Sequence, residues 1–550
     1  MADSRFVDMS TVATVAEAFE VIARRHPGKD CICIPARPGR DYAPDGLTWS
    51  YGEVSQRAAE LRNRYVAAGY GHGHRIAILF ENRPSFMLHW LALNAIGVGL
   101  VPINLESTAQ EITTLLQRSH AVLVVALPHK RALVQQAVGQ MEVPIPVVGE
   151  EIPHAFPPAI TPRLDTAPNP LTEAGLLFTS GTTGVSKGAI LTNEALLFNG
   201  HRYIRAGGVM EIAYGAERHY NPLPLSYANA FANSNIAMIL SAGCMIFPDR
   251  FHPDVWWQDL IATDATIIHY LGIIAPLLLQ RPPVPEETRH RIKFGLGAGA
   301  DTNQHIAFEA RFGFPLVEVY GMSELGISSY SSHEPRMPGL HLVGTPIEGV
   351  EYRLIDNNGQ ALKPGQAGEL LVRRAGDNPR KGFFAGYLDD PELTEFMWRD
   401  GWYHTGDNLR QDDEGRYFWV DRLKDMVRRS GENISTAEVE NCIRAHPAVS
   451  MVACVAAPDP LRQEEVVACI ILQPGFEPST ETALSIMEWS LERIAYFRSP
   501  GGIVFMSEFP MTTSKKIQKH RIFAKGEDVF TRPDCIDLRH LKKQRTSTAA

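Results

Sequence analysis

The stretch Thr179-Ser180-Gly181-Thr182-Thr183-Gly184-Val185-Ser186-Lys187-Gly188 decides how this 550-residue chain is read. Glycines let the backbone take positive φ and approach a ligand closely. Hydroxyls and freed backbone N–H groups then point at an anion, and the lysine adds a mobile positive charge. That is the composition of a phosphate cradle. The apolar run from Ala174 to Phe178 reads as a buried strand, so the loop follows a strand. Ser186 stands where a Walker A loop has its second glycine, and that pattern fails. Taken alone, the stretch is equally a polar surface turn, so the rest of the chain has to decide.

Upstream, helical and strand-like patterns alternate. Val12 to Arg24, Gly52 to Ala68, Pro84 to Ile96 and Thr108 to Ser119 read as helices; Leu47 to Tyr51, Arg75 to Phe80, Gly99 to Ile103 and Ala121 to Ala126 read as strands. Such alternation predicts parallel sheets covered by helices. Downstream, Thr266 to Tyr270, Lys293 to Gly297 and Leu316 to Tyr320 read as strands whose C-terminal ends run into Gly-rich or polar loops, where ligands bind in open α/β sheets. From about Gly344, short strands (Glu351 to Ile355, Gly368 to Val372, Tyr417 to Val420) and Asp/Asn/Gly turns indicate a β-rich subdomain. After Asp421 a basic segment leads to a helix, Thr436 to Ala445, and to strands Val449 to Ala456 and Glu465 to Leu472. The expected class is α/β. It comprises a large N-terminal domain over residues 1–421, its β-rich part at about 344–421, and a small α+β C-terminal domain over 422–550. Thr531 to Ala550 looks like a tail.

Length alone calls for more than one core. With 45% hydrophobic and 21% charged residues, the chain is an ordinary globular protein, and a net charge of −9 argues against a general nucleic-acid binder. The seven cysteines are scattered and lack metal-ligand spacing, which fits reduced thiols. The first residues carry no basic-then-apolar leader. Ile267 to Leu279 falls short of the roughly 20 residues a spanning helix needs. A cytoplasmic location without a transmembrane segment follows as the expectation, and a homodimer is admitted.

Four further runs carry chemistry. Tyr320-Gly321-Met322-Ser323-Glu324 ends a strand with a hydroxyl and a carboxylate, and a carboxylate beside bound phosphates needs a bridging cation, usually Mg²⁺. Trp402-Tyr403-His404-Thr405-Gly406-Asp407 sets an aspartate after a tight turn, and an aspartate can accept both ribose hydroxyls. Val420-Asp421-Arg422-Leu423-Lys424-Asp425 alternates charges along a connector. Pro510-Met511-Thr512-Thr513-Ser514-Lys515-Lys516-Ile517-Gln518-Lys519 is a lysine-bearing loop. Singly, each reads as well as a turn, a linker or a solvated face. Their order and spacing together do not.

In that order they resemble the adenylate-forming superfamily of acyl-CoA synthetases, luciferases and peptide-synthetase adenylation domains, from about residue 12 to 525. The run Val420 to Glu440, with Ser430-Gly431-Glu432-Asn433-Ile434, is most similar to bacterial crotonobetaine/carnitine-CoA ligases. The resemblance implies that Thr179, Ser180, Gly181, Thr182, Thr183, Gly184 and Lys187 hold the β- and γ-phosphates of ATP. It lays Gly299, Ala300 and Asp301 along adenine and stacks Tyr320 on the base, within the run that includes Gly321 and Met322. Ser323 would contact the α-phosphate and Glu324 would hold Mg²⁺. Asp407 would bind the ribose, and Arg422 the ribose or phosphate. Lys516 would bridge the carboxylate and the α-phosphate, Lys424 would be the hinge of the C-terminal domain, and Ser430 and Gly431 would border the tunnel for coenzyme A.

There are departures from the family pattern. Lys515 replaces a usual glycine and could stand in for Lys516; Tyr227 occupies the place of a gating histidine; Ser186 replaces a proline. The segments matching the acyl pocket supply Tyr227, Asn229, Phe231, Tyr270 and Gly297. They suit a small or medium acid with some polarity, aromatic or short and functionalised, better than a long saturated chain. The implied reaction is ATP-dependent acid–thiol ligation: a carboxylate attacks the α-phosphorus, pyrophosphate leaves, and the acyl-AMP passes its acyl group to coenzyme A. Transfer to a carrier protein or another acceptor, and a degenerate nucleotide-binding sensor, are the alternatives.

Overall fold

The protein is described here from a computed structural model. It covers all residues except 1–4, 106, 151–154, 180–186, 273, 301, 423–425, 430–431, 460–461, 495, 512–516, 525–526 and 543–550. The chain forms two compact units. The first is Met1–Tyr352 with Leu371–His404 and Asp412–Phe418; the second is Arg353–Leu370 with Thr405–Gln411 and Trp419–Ala550.

The first unit contains two large sheets. One has the strand order Gly386–Tyr387, Lys187–Thr192, Glu173–Thr179, Gly99–Pro102, Arg75–Leu79, Leu123–Ala126, Val147–Gly149. Its pairs from Gly99–Pro102 outward to Val147–Gly149 are parallel, as the alternating pattern predicts. In the other, Asp30–Ile34, Cys244–Ile246, Arg218–Tyr220, Ile267–Leu271, Phe294–Ala298 and Leu316–Met322 run parallel in that lateral order. Gly326–Tyr330 then folds back antiparallel.

The helices follow their local signals. Tyr51–Ala67 and Ala109–Ser119 each start at a capping box, Ser50 with Glu53 and Thr108 with Glu111. Pro84–Asn94 has proline at its first turn and is buried in ten of its eleven residues. A helix that is apolar all round belongs inside, and this one does.

The second unit contains a sheet ordered Glu432–Ser435, Met426–Arg429, Gln463–Leu472, Gly502–Phe505, Cys535–Asp537, with Val449–Asp459 also paired to Gln463–Leu472. Its core includes Val439 and Ile443 of helix Thr436–Arg444, Ile486 of helix Thr480–Arg493, and Ala468 and Ile503 from the strands. The described part of the segment that reads as a tail, residues 531–542, is built into this unit. Cys535–Asp537 pairs antiparallel with Gly502–Phe505. Lys542 is buried on Glu465, whose other oxygen takes the Arg429 Nε at 2.8 Å. Basic residues at a chain end look solvated in sequence; a buried carboxylate fixes this one.

Candidate active site

The strands on either side of the expected cradle, Glu173–Thr179 and Lys187–Thr192, are neighbours in one sheet. Thr179 lies opposite Lys187 in an antiparallel pair, so residues 180–186 link two neighbouring strands. Ser180, Gly181, Thr182, Thr183 and Gly184 lie outside the described residues. The strand after the loop, Lys187–Thr192, pairs on its far side with Gly386–Tyr387. That pairing brings in a residue the sequence did not single out. The Lys187 ammonium sits 5.4 Å from the centre of the Tyr387 ring, within cation–π range. The Tyr387 hydroxyl donates to Glu324 Oε1 at 2.7 Å.

Tyr387 thereby ties two of the expected catalytic residues together. Its hydroxyl is also 2.9 Å from that of Tyr403. Because Tyr387 gives its proton to Glu324, Tyr403 is the donor in that second bond. Burial first, and the Glu324 carboxylate second, push both phenols above their ordinary range, so both stay protonated donors.

Glu324 stands at the tip of the hairpin between Leu316–Met322 and Gly326–Tyr330. The tip needs glycines. A Cβ on Gly321 would lie 2.5 Å from the Gly326 carbonyl oxygen, and Gly326 has φ +64° with Asn199 filling the space of a Cβ. A register shift between Tyr320 and Gly321 re-aims the strand end. Glu324 is 7% exposed, and among the described residues its carboxylate accepts one hydrogen bond, from Tyr387. That spare capacity fits a cation. Mg²⁺ is held by one or two carboxylates with waters and substrate phosphates. Among the described residues no group of three or more His, Cys, Asp or Glu side chains could hold a metal by itself.

A second carboxylate organises the expected adenine segment. Glu318 accepts from Gly299 N–H at 3.0 Å, Ala300 N–H at 3.2 Å and the Tyr270 hydroxyl at 2.8 Å. Tyr270, Gly297 and Glu318 are in lateral register on three adjacent parallel strands. The bare Gly297 lets the Tyr270 side chain cross to Glu318: a Cβ there would lie 2.8 Å from the ring. Tyr320 is buried and meets Tyr352 edge-on, with ring centres 6.2 Å apart. Met322 and Ser323 are half-buried and Gly321 is exposed. Asp301 lies outside the described residues.

Of the expected pocket residues, Tyr227 is half-buried and accepts from Asn104 Nδ2 at 2.8 Å. Asn229 opens a widened turn, Asn229–Ser234, in which Asn235 N–H bonds Ala230 C=O five residues back. Such π-type turns recur at functional sites. Asn229 Oδ1 takes the His269 Nδ1 proton at 2.5 Å, which leaves His269 Nε2 to accept from the Tyr203 hydroxyl at 3.0 Å. Burial holds His269 well below its ordinary pKa, so it is neutral. Phe231 is fully buried against Trp90, with ring centres 4.3 Å apart, and Tyr270 is 1% exposed.

Asp407 belongs to the second unit. It is buried, and its N–H meets the Thr405 hydroxyl, which bonds Leu370 C=O. Arg422 ends the strand Tyr417–Arg422. Lys424, Ser430, Gly431, Lys515 and Lys516 lie outside the described residues. No helix among the described residues is long and apolar enough to cross a membrane.

Residues 19–388 match the AMP-binding enzyme family and residues 438–516 match the AMP-binding enzyme C-terminal domain. The chain belongs to the AMP-binding enzyme family. It is 28% identical over 518 residues to a sulfoacetate–CoA ligase of Cupriavidus necator, covering 92% of this chain and 97% of that protein. To a crotonobetaine/carnitine–CoA ligase of Proteus mirabilis it is 26% identical, covering 86% and 92%. Among solved structures, ATP-bound MatB from Rhodopseudomonas palustris superposes with TM-score 0.77 at 25% identity, covering 92% and 97%. The chain is an ATP-dependent, AMP-forming acyl-CoA synthetase: it activates a carboxylic acid as acyl-AMP with loss of pyrophosphate and transfers the acyl group to coenzyme A.

Proposed function

We propose that the acid is short and polar, that Glu324 and Lys187 act as one unit on ATP, and that two domain placements divide the two half-reactions. The Lys187–Tyr387–Glu324 contact carries the reading. Attack of a carboxylate on ATP brings anions together, so the barrier falls when cations are fixed where charge develops. Lys187, with Thr179 opposite, borders the loop that holds the β- and γ-phosphates. Glu324 holds Mg²⁺, which when bound neutralises phosphate charge. Ser323 contacts the α-phosphate, Gly299 to Asp301 and Tyr320 hold adenine, and Asp407 and Arg422 the ribose. Lys516 bridges the acid and the α-phosphate.

The polar pocket reading rests on the Asn104–Tyr227 bond and the Asn229–His269–Tyr203 relay. Relatives named for sulfoacetate and for crotonobetaine/carnitine support it. Phe231 and Tyr270 are spent on core packing and on Glu318, so fewer apolar groups remain to line a long chain. Residues 1–421 form the N-terminal domain and 422–550 the C-terminal one. Lys424 is the hinge, and Ser430 and Gly431 border the path of coenzyme A. A cytoplasmic location fits seven unpaired cysteines. Light scattering decides whether the active species is a homodimer.

One paired assay tests the division of labour. Lys516→Ala abolishes adenylation and spares thioester formation from supplied acyl-AMP, whereas Lys424→Pro, with φ fixed near −65°, keeps adenylation and loses thioester formation. Equal loss of both half-reactions in either folded variant overturns it. A screen of carboxylic acids by coenzyme-A-dependent AMP release tests the acid, and a best substrate with a long saturated chain overturns that part.

A further inference from the structure

A cavity of about 560 Å³ lies in the first unit, lined from helix Asn193–Ile204, from the stretch following strand Gly326–Tyr330 and from residues 345–349. Its charge is one-sided. Arg202, Arg205 and Arg374 line it together with His201, and among the described residues lining it Glu348 is the one carboxylate. None of the three arginines is within ion-pair distance of a carboxylate among the described residues. Arg202 is 5% exposed. Its Nη1 donates to Leu325 C=O at 3.2 Å, while its buried Nε and Nη2 make no hydrogen bond among the described residues. Tyr330 Oη, also on the lining, is buried and has no hydrogen-bond partner among the described residues.

Aromatic faces take the place of counter-ions. The Arg202 guanidinium is 4.9 Å from the Phe383 ring, and the Arg374 guanidinium 5.0 Å from the Phe198 ring. Burial, and next to it the charge of Arg374, hold Arg202 below its ordinary pKa, at about 10. It therefore remains charged at neutral pH. A buried guanidinium without a carboxylate is costly, and a second like charge raises the cost. Nε and Nη2 lie on one edge of the guanidinium, the edge that grips a carboxylate, sulfonate or phosphate through two parallel bonds.

We propose that this cavity is an anion-binding site that takes an oxyanion group of a small molecule on Arg202, Arg205 and Arg374, with Tyr330 as a further donor. Its lining includes neither Lys187, Glu324 nor Tyr387, and the proposal does not depend on the roles proposed for them. The bound anion supplies the missing counter-charge.

Calorimetric titration of the full chain with inorganic phosphate, against sodium chloride at equal ionic strength, tests it. Saturable phosphate binding is expected. It should weaken at least tenfold in the Arg205→Ala/Arg374→Ala double variant, which alters only exposed or half-buried side chains. It should tighten two- to threefold in Glu348→Gln and persist in Lys187→Ala, which removes any contribution of the phosphate loop. Arg202→Lys, checked for folding by circular dichroism, should weaken it by a similar factor to the double variant. No saturable binding overturns the proposal. So does binding lost in Lys187→Ala but kept in the double variant, because the phosphate loop is then the site. Competition identifies the source of the anion. Displacement by coenzyme A but not by 3′-dephospho-coenzyme A points to the nucleotide phosphate. Displacement by acids with a second anionic group but not by monoacids of equal length points to the acid. Displacement by neither leaves the free oxyanion as occupant.

Discussion

Two buried glutamates six residues apart, Glu318 and Glu324, do opposite work. Both come from the hairpin that begins with strand Leu316–Met322. Glu318 accepts two backbone N–H groups and a phenol. A carboxylate has about four acceptor sites, so most of its capacity is used inside the protein. Glu324, among the described residues, accepts one phenol. The first arrangement builds a platform: it pins Gly299 and Ala300 where the chain leaves strand Phe294–Ala298. The second leaves negative charge on offer beside a lysine. The difference lies in the donors. Strand register supplies Glu318 with N–H groups, whereas among the described residues no backbone N–H bonds the Glu324 carboxylate at the hairpin tip.

That contrast breaks most sharply at Glu324. Glu324→Gln keeps the shape and removes the charge. Adenylation is expected to fall about 100- to 1,000-fold, the cost of losing a placed electrostatic group, and the Mg²⁺ concentration for half-activity should rise. Unfolding in urea should be unchanged. A normal Mg²⁺ requirement would remove Glu324 from the metal role. Glu318→Gln is the reciprocal test. Its amide must turn an NH₂ toward either Gly299 or Ala300, which leaves a buried N–H unsatisfied. Stability should drop by about 1–3 kcal/mol, read from urea unfolding. KM for ATP should rise with the Mg²⁺ requirement untouched. A shift in Mg²⁺ dependence there would mean that Glu318, not only Glu324, faces the metal. Tyr270→Phe removes one of three donors and should cost about 1 kcal/mol, with no effect on Mg²⁺.

These tests rest on residues of unequal legibility. Glu324, Lys187 and Asp407 stood out in the sequence because each sits in a glycine- or hydroxyl-rich run that helix and strand periodicity cannot account for. Glu318 did not, because inside the apolar run Leu316 to Tyr320 it reads as one polar strand position. Tyr387 is invisible for another reason: Ala385-Gly386-Tyr387-Leu388 is two hundred residues from Lys187 in sequence, and only the strand pairing to Ala189 brings it near. The parallel strands with longer apolar runs were legible. The three-residue strands Arg218–Tyr220 and Cys244–Ile246 carry no usable period. Segments matching an acyl pocket are equally silent on which side chains face inward; Phe231 packs on Trp90 and Tyr270 donates to Glu318, neither of which the sequence announces. The chain end read as a tail because burial of Lys542 on Glu465 depends on a partner seventy-seven residues away.

The smallest expected effect separates the two jobs of Tyr387. Its hydroxyl orients Glu324, and its ring faces the Lys187 ammonium. Tyr387→Phe removes the first and keeps the second. Glu324 then loses the one hydrogen bond that its carboxylate accepts among the described residues, a change of about 0.5–1.5 kcal/mol, so kcat for adenylation should fall about three- to tenfold. KM for ATP should hold, because the ring still positions Lys187. Tyr387→Leu removes both, and KM for ATP should rise in addition to the fall in kcat. The order of the two variants decides the matter. If Tyr387→Phe matches the wild type while Tyr387→Leu is impaired in KM alone, the phenol serves Lys187 only. Glu324 would then be held by the hairpin geometry of Gly321 and Gly326 rather than by a donor. If both variants lose kcat equally with KM unchanged, the ring contact to Lys187 contributes nothing to ATP binding. The carboxylate would be the sole reason that Tyr387 matters.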